Sequence, residues 1–124
     1  MKWFCYPTGD EPDLWARWFA QQRKRAQAKH ATVMRFLSEG HWKAPHYRDL
    51  VGKPRGLGEI RVSTEVEWRL IGRRDQQEDS FILLIICHHK GKVYTPQNAL
   101  ETASRRWREV ENGLERIERN DPPA

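Results

Sequence analysis

The stretch from residue 56 to residue 96 decides the fold: GLGEIRVSTEVEWRLIGRRDQQEDSFILLIICHHKGKVYTP. Three of its segments are apolar enough to be strands of one sheet, near residues 58–63, 68–74 and 80–87. The polar links between them are short, which favours an antiparallel meander over parallel crossovers. The run FILLIIC at 81–87 is apolar at every position. That pattern is expected of a strand that is covered on both faces or is central in its sheet.

Cations, imidazoles and a phenol recur at or just beyond the ends of these strands: Arg61, Arg69, Arg73, His88, His89, Lys90, Lys92 and Tyr94. Such groups can hold a phosphodiester and move its protons. Successive side chains of a strand point to opposite faces, so these groups cannot all share one site. Only one of His88 and His89 can face a common groove, and we predict that it is His89. At most one of Arg73 and Arg74 can do so.

Residues 3–6 have the pattern of a short strand, and the apolar spacing from about residue 10 to 39 predicts two helices or one bent helix. Asp10 is expected to cap the first helix, with Pro12 and Asp13 in its first turn, where proline is tolerated and negative charge is favourable. The segment therefore predicts a strand followed by a helical pair.

Residues 40–58 are rich in glycine and proline and are expected to form a connecting loop. Beyond Pro96, apolar residues at spacings of three and four predict an amphipathic helix with Pro96 in its first turn: Leu100, Ala103, Trp107, Val110, Leu114 and Ile117. A short seam with a partner helix is the alternative. Packing on the sheet is favoured because the pattern spans fewer than three heptads and Gly113 interrupts it.

Length and composition favour one small α+β domain over residues 1–119, with a disordered tail at 120–124. The chain has 124 residues, too few for an enzyme with a separate cofactor domain. Its 22 Lys and Arg against 17 Asp and Glu give a net charge of +5 and a pI near 9.5. This excess favours polyanionic partners, although a merely solvated charge excess is the alternative. No cofactor is expected.

Two cysteines, Cys5 and Cys87, lie far apart in apolar strand-like runs without CxxC or Cys/His spacing. Neither a disulfide scaffold nor a metal site is predicted from them, and two buried reduced thiols are expected. The first residues lack the apolar core of a signal peptide, and the longest apolar run is too short to span a bilayer. A soluble cytoplasmic protein without membrane contact is the expectation.

The order of strand, helical pair, three antiparallel strands and closing helix resembles the RelE-like toxin superfamily, especially its HigB-type branch. Three blocks carry the resemblance: GLGEIRV at 56–62, EWRLIG at 67–72, and FILLIICHHKGKVYTPQNALETASRR at 81–106. They are similar to the family's acidic and Arg-containing strand, its aromatic-Arg strand, and its apolar strand, basic turn and final helix. The resemblance covers roughly residues 31–112.

The resemblance implies a small twisted sheet with helices on one side. It also implies a type II toxin-antitoxin system, in which the toxin cleaves mRNA on the ribosome and a helix-turn-helix antitoxin restrains it. The cleavage would need no metal, because the RNA 2′-hydroxyl attacks the adjacent phosphate to give a cyclic phosphate and a free 5′-hydroxyl. Such chemistry needs a base, an acid, and cations for the phosphorane-like charge.

By this resemblance, Arg69 matches the strand arginine used on the scissile phosphate, and Arg61 matches a phosphate-binding strand cation. Imidazole chemistry suits His89 for proton transfer, and Tyr94 could stack on a base or donate a proton. The expected catalytic residues are thus Arg69, His89, Lys90 and Tyr94, and the expected phosphate-binding residues are Arg61, Arg73 and Lys92. Each assignment has an alternative. Arg61 and Arg69 could form ordinary ion pairs, Arg69 with Glu59, Glu65 or Glu67. The two lysines could belong to a solvated hairpin-like turn, His89 could be a simple strand-end histidine, and Tyr94 could be a core anchor.

Two functions of another class are also compatible with the sequence. A related branch of the superfamily inhibits DNA gyrase without cutting RNA, and a degenerate member could act only as a binding module. The basic helical segment with Arg17, Arg23, Lys24, Arg25 and Lys29 could contact ribosomal RNA through phosphates, or could be only a solvated helix face.

Overall fold

The computed structural model describes residues 1–8, 13–51, 56–113, 118–119 and 122–123. Their elements run in the order β1 (Lys2–Cys5), α1 (Leu14–Ala20), α2 (Lys24–Ser38), β2 (Tyr47–Asp49), β3 (Gly58–Ser63), β4 (Glu67–Asp75), β5 (Ser80–Lys90), β6 (Val93–Thr95), α3 (Ala99–Glu111) and β7 (Glu118–Arg119). The predicted α+β class is confirmed. No helix in these ranges is long and apolar enough to cross a membrane.

The strands form one mixed sheet in the order β2-β3-β4-β5-β1-β7, and β6 also pairs with β5. The predicted meander is confirmed, because β3, β4 and β5 pair antiparallel in sequence. The first strand, β1, lies parallel to β5. Since β5 pairs with β4, β1 and β6, it is the centre of the sheet, as its uninterrupted apolar run predicted.

Helices cover both faces of this sheet. One core cluster joins Trp15 of α1 and Val33 of α2 to Leu70 of β4. A second cluster joins Ala103 of α3 to Ile71, the next residue of β4. Adjacent strand residues point to opposite faces, so α3 lies on the face away from α1 and α2. The expectation of helices on one side is therefore wrong, because β4 and β5 are apolar on both faces.

Several helix boundaries in the structure differ from the predicted ones. Helix α1 begins at Leu14, and the carboxylate of Asp13 accepts a hydrogen bond from the Ala16 amide at 2.9 Å, so Asp13 is the cap rather than a first-turn residue. Asp10 and Pro12 lie outside the described residues. Pro96 precedes the last helix, which begins at Ala99, so it is not in the first turn.

Two short strands occupy regions that were predicted to be loop or turn. Tyr47–Asp49 pairs antiparallel with β3, and Val93–Thr95 pairs antiparallel with the end of β5. The basic turn is thus the tight end of a hairpin, where Gly91 has a φ of 62° that suits glycine. Strand β7 pairs with β1. Leu114 and Ile117, and residues 120, 121 and 124 of the predicted tail, lie outside the described residues.

A buried histidine joins α1 to α2. His30 is fully buried, and the Trp15 Nε1–H donates to its Nε2 at 2.9 Å. The rings of Trp18 and Phe19 contact the imidazole edge-on, with distances of 5.5 and 5.3 Å between ring centroids. Because Nε2 accepts a hydrogen bond, it carries no proton. Burial lowers the pKa of His30 to about 4.

This histidine predicts a loss of stability in mild acid. The unfolded chain takes up the proton from about pH 6.5 downward, whereas the folded chain resists it until about pH 4. The contribution of His30 to the free energy of unfolding is therefore fully present above about pH 6.5. It falls as the pH drops and levels off below about pH 4. At pH 5 the expected loss is ~2 kcal/mol. Urea unfolding at pH 7 and pH 5 measures it, and His30→Gln should abolish most of this pH dependence; an unchanged dependence would contradict the assignment.

Candidate functional site

A buried carboxylate organises the sheet face that α3 covers in part. The Glu59 side chain is 2 % exposed and belongs to the second residue of β3. Arg61 donates to its Oε1 from both Nε, at 3.0 Å, and Nη2, at 2.9 Å. The Nε atoms of Arg48 and Arg69 lie 3.6 and 3.8 Å from the same oxygen. The Tyr94 hydroxyl donates to Oε2 at 2.7 Å.

The strand register explains this convergence. Arg48 of β2 is opposite Glu59, and Arg61 of β3 is opposite Arg69 of β4. The two-residue period of a strand places Glu59 and Arg61 on one face. The backbone therefore delivers three guanidinium groups and one carboxylate to a single spot. We call Arg48, Arg61 and Arg69 the arginine cluster.

The arginine cluster keeps an excess of positive charge. Glu59 is its shared counter-ion, and Glu67 adds a second carboxylate, 3.4 Å from Arg69 Nη1. Taking charges out of water is costly unless they are paired, so the buried Glu59 is what allows three like charges to sit together. Accessibility decreases across the cluster, from 60 % for the Arg48 side chain to 27 % for Arg61 and 10 % for Arg69.

A cavity of about 350 Å³ opens beside the cluster. Its lining combines cations, an imidazole, a phenol and apolar side chains: Arg48, Leu50, Val51, His89, Lys92, Tyr94 and Leu100. His89 is half-buried, and its ring centroid is 4.9 Å from that of Tyr94. The cavity lining thus contains an imidazole and two cations, and Arg48 links it to the buried carboxylate of Glu59.

Tyr94 is a proton donor rather than a base in this arrangement. Burial raises the pKa of its hydroxyl, and the hydrogen bond to the Glu59 carboxylate raises it further. The phenol therefore stays protonated at neutral pH. It also packs against the second core cluster, so the suggested core role applies as well.

Five of the seven predicted site residues meet at this face: Arg61, Arg69, His89, Lys92 and Tyr94. Lys90 and Arg73 do not. Lys90 is exposed at the end of β5, and strand alternation places it on the face opposite His89. Arg73 lies four residues beyond Arg69, or about 13 Å along the strand, and its guanidinium sits 4.7 Å from the Trp107 ring. The prediction that Lys90 and Arg73 share one site with the other five residues is therefore corrected.

The two adjacent pairs behave as strand alternation requires. His88 packs edge-on against Trp68 at 5.7 Å, on the face away from His89. The Arg74 guanidinium sits 4.4 Å from the Trp42 ring, on the face away from Arg73. Alternation thus correctly excluded one member of each pair from a common site.

Sequence reasoning missed two members of the site. Glu59 was considered only as a possible ion-pair partner of Arg69, and Arg48 lay in a presumed loop. The spacing Glu59-x-Arg61 within a strand was the available signal for the first residue, since it places both side chains on one face. No local signal marked Arg48, because its position depends on the pairing of β2 with β3.

The thiol near this site is unreactive. Cys87 is buried beneath the cluster, and burial raises its pKa to about 12. Within the described ranges, no group of three or more His, Cys, Asp or Glu side chains could hold a metal ion.

The sequence matches no known protein-family model, and a search of curated proteins returns no significant match.

Proposed function

We propose that this protein is a RelE-like toxin of a type II toxin-antitoxin system and acts as an endoribonuclease that cleaves mRNA without a metal ion. The observation that carries this proposal is the cavity lined by His89, Arg48 and Lys92, in which Arg48 shares the Glu59 carboxylate with Arg61. An imidazole beside several cations is the set of groups that phosphodiester cleavage by an internal 2′-hydroxyl requires.

In this proposal the accessible cations hold the phosphate. Arg48, Arg61 and Lys92 would contact its non-bridging oxygens, where negative charge accumulates as the fifth P–O bond forms. Arg69 was expected to make this contact. Its side chain is only 10 % exposed and lies near two carboxylates, so we assign it to the buried support of Arg61 and Glu59.

His89 is assigned to proton transfer. Its neutral imidazole would accept the proton of the 2′-hydroxyl while the 2′-oxygen bonds to phosphorus. The bond from phosphorus to the 5′-oxygen then breaks, and that oxygen receives a proton from water or from the imidazolium. The products are a 2′,3′-cyclic phosphate and a 5′-hydroxyl. Tyr94 would hold Glu59 through its hydroxyl and present its ring edge to the cavity.

Partners follow from the same proposal. A toxin of this class would act on mRNA at the ribosome, and a net charge of +5 supports association with ribosomal RNA. A cognate helix-turn-helix antitoxin would restrain it. The neighbouring reading frame tests this part, since it should encode a small protein of that type.

A second function is favoured by one observation. The ion pairs and burial of Arg69 are those of a structural arginine, as expected if the site is not catalytic. The protein would then be a non-nucleolytic relative that binds DNA gyrase or another target as an inhibitor.

One experiment separates the two functions. Purified protein is incubated with a defined mRNA, with and without ribosomes, and the fragment ends are analysed. We expect fragments with 2′,3′-cyclic phosphate and 5′-hydroxyl ends, and none when a single 2′-deoxynucleotide replaces the ribonucleotide at the cleavage point. Arg69→Ala should abolish cutting because Glu59, which positions Arg61, loses one of the guanidinium groups that hold it in place. Intact mRNA together with blocked gyrase supercoiling would favour the non-nucleolytic inhibitor over the endoribonuclease.

A further inference from the structure

A second groove lies on the opposite face of the sheet, between the start of α2 and the turn that joins β3 to β4. A cavity of about 490 Å³ is lined by Gln21, Gln22, Arg23, Arg25, Ala26, Thr64, Glu65, Val66 and Trp68. It continues into a depression of about 420 Å³ that shares Arg25, Thr64 and Glu65 and adds Lys29 and Ser63. We call the two together the α2 groove. No residue of the proposed cleavage site lines it.

We propose that the α2 groove binds a single-stranded segment of RNA. Its helical wall carries three exposed cations, Arg23, Arg25 and Lys29, against one carboxylate, Glu65, on the other wall. Arg25 and Lys29 are four residues apart on α2, so they project from the same side about 6 Å apart along the axis. Cations in a row along a groove are suited to successive phosphates of one strand.

The groove also offers contacts for bases. Trp68 is half-buried in its lining, and aromatic side chains stack on bases of any sequence. Gln21 and Gln22 lie near by in the lining, and their amides carry both donors and acceptors for base edges. The Gln22 amide nitrogen also donates to the Trp18 carbonyl at 3.1 Å, which holds that side chain in place.

The amino end of α2 adds a positive electrostatic potential that favours anions. Its cap, Arg23, makes no side-chain capping hydrogen bond, and its first turn contains no acidic residue. The unpaired amides and the positive end of the helix dipole therefore attract anions along the same wall as the arginines.

An acidic peptide fits the lining of the α2 groove less well than a single strand of RNA does. A helix or strand that docks on a protein usually buries apolar anchors in an apolar groove. Among the described residues, the apolar members of the lining are Ala26, Val66 and Trp68, and the rest of that lining is polar or charged. A flat aromatic ring among cations and amides suits a base and its phosphates better.

The groove and the cleavage site lie back to back on one hairpin. Trp68 lines the groove, and the next residue of β4, Arg69, belongs to the arginine cluster on the other face. An RNA strand that passes around the turn between β3 and β4 would reach both. Binding in the groove does not depend on the proposed cleavage.

The test uses a probe that cannot be cut. A fluorescein-labelled 2′-O-methyl oligouridine is titrated with protein at several salt concentrations, and binding is followed by anisotropy. Removal of two groove cations by Arg25→Ala with Lys29→Ala should weaken binding at least tenfold at low salt. The slope of log affinity against log salt should fall by about 1.4, because two phosphate contacts are lost.

Arg17→Ala with Arg35→Ala is the matched control, since it removes two exposed helix arginines outside the groove. This variant should bind within about twofold of the wild type, and both double variants should keep the wild-type thermal midpoint. Equal losses in the two double variants would mean that net charge alone attracts the probe. Unchanged affinity on loss of Arg25 and Lys29, or equal competition by a polyglutamate peptide, would also overturn the proposal.

Discussion

Replacing Glu59 with alanine is expected to lower the free energy of unfolding by about 3–5 kcal/mol. The substitution leaves the largely buried Arg69 without its buried counter-ion, and no buried carboxylate then lies between Arg69 and its cross-strand neighbour Arg61. The Tyr94 hydroxyl loses its acceptor as well. An uncompensated buried charge and an unsatisfied donor are among the costliest defects in a protein interior. Urea unfolding at pH 7 measures the effect.

Glu65→Ala is the control for Glu59→Ala. It removes a carboxylate from the same hairpin at an exposed position, so its effect should stay within ~0.5 kcal/mol. Glu59→Gln should fall between the two, because the amide oxygen can still accept from Arg61 while the charge is gone. Equal effects of Glu59→Ala and Glu65→Ala would show that the carboxylate does not hold the arginine cluster together.

Replacing His89 with alanine is expected to slow RNA cleavage by about 10²–10⁴-fold if the proposed function is correct. His89 supplies the imidazole of the cavity that also holds Arg48 and Lys92, and none of the other described histidines lines that cavity. Loss of a positioned proton acceptor raises the barrier of the chemical step without removing the cations that bind phosphate. Single-turnover cleavage with excess protein reports this step directly.

His88→Ala is the control for His89→Ala, because the two residues are neighbours on β5 and face opposite ways. His88 packs against Trp68, whereas His89 packs against Tyr94. We expect His88→Ala to retain a cleavage rate close to that of the wild type. Thermal midpoints of both variants show whether each protein is folded. Similar rates for the two variants would remove His89 from its assigned role.

Local pattern was sufficient for the strands of the meander and for the last helix. The predicted strands at 58–63, 68–74 and 80–87 correspond to Gly58–Ser63, Glu67–Asp75 and Ser80–Lys90. The apolar alternation of a strand and the three-to-four spacing of a helix are properties of neighbouring residues, so a linear sequence displays them. The same alternation indicated that only one of His88 and His89 can face the site, but it did not decide which one.

The pairing of distant segments could not be predicted from local sequence pattern. Strand β2 has only three residues, Tyr47–Asp49, and little pattern of its own; it exists because β3 offers an edge to it. Arg48 reaches Glu59 only through that pairing. The hairpin of β5 and β6 likewise turns Tyr94 back over the sheet; a hairpin-like turn at Lys90 and Lys92 was an alternative from the sequence, but strand β6 was not predicted.

The sequence by itself therefore determined the α+β class, the antiparallel meander, the central position of β5, and that its two histidines lie on opposite faces. These follow from periodicity and strand alternation, which act over a few residues. Only the tertiary structure decided that α3 covers the face opposite α1 and α2, and that Arg48, Arg61 and Arg69 converge on Glu59. Those features arise because pairing and packing bring together groups that are remote in the chain, and a buried carboxylate then selects which cations remain there.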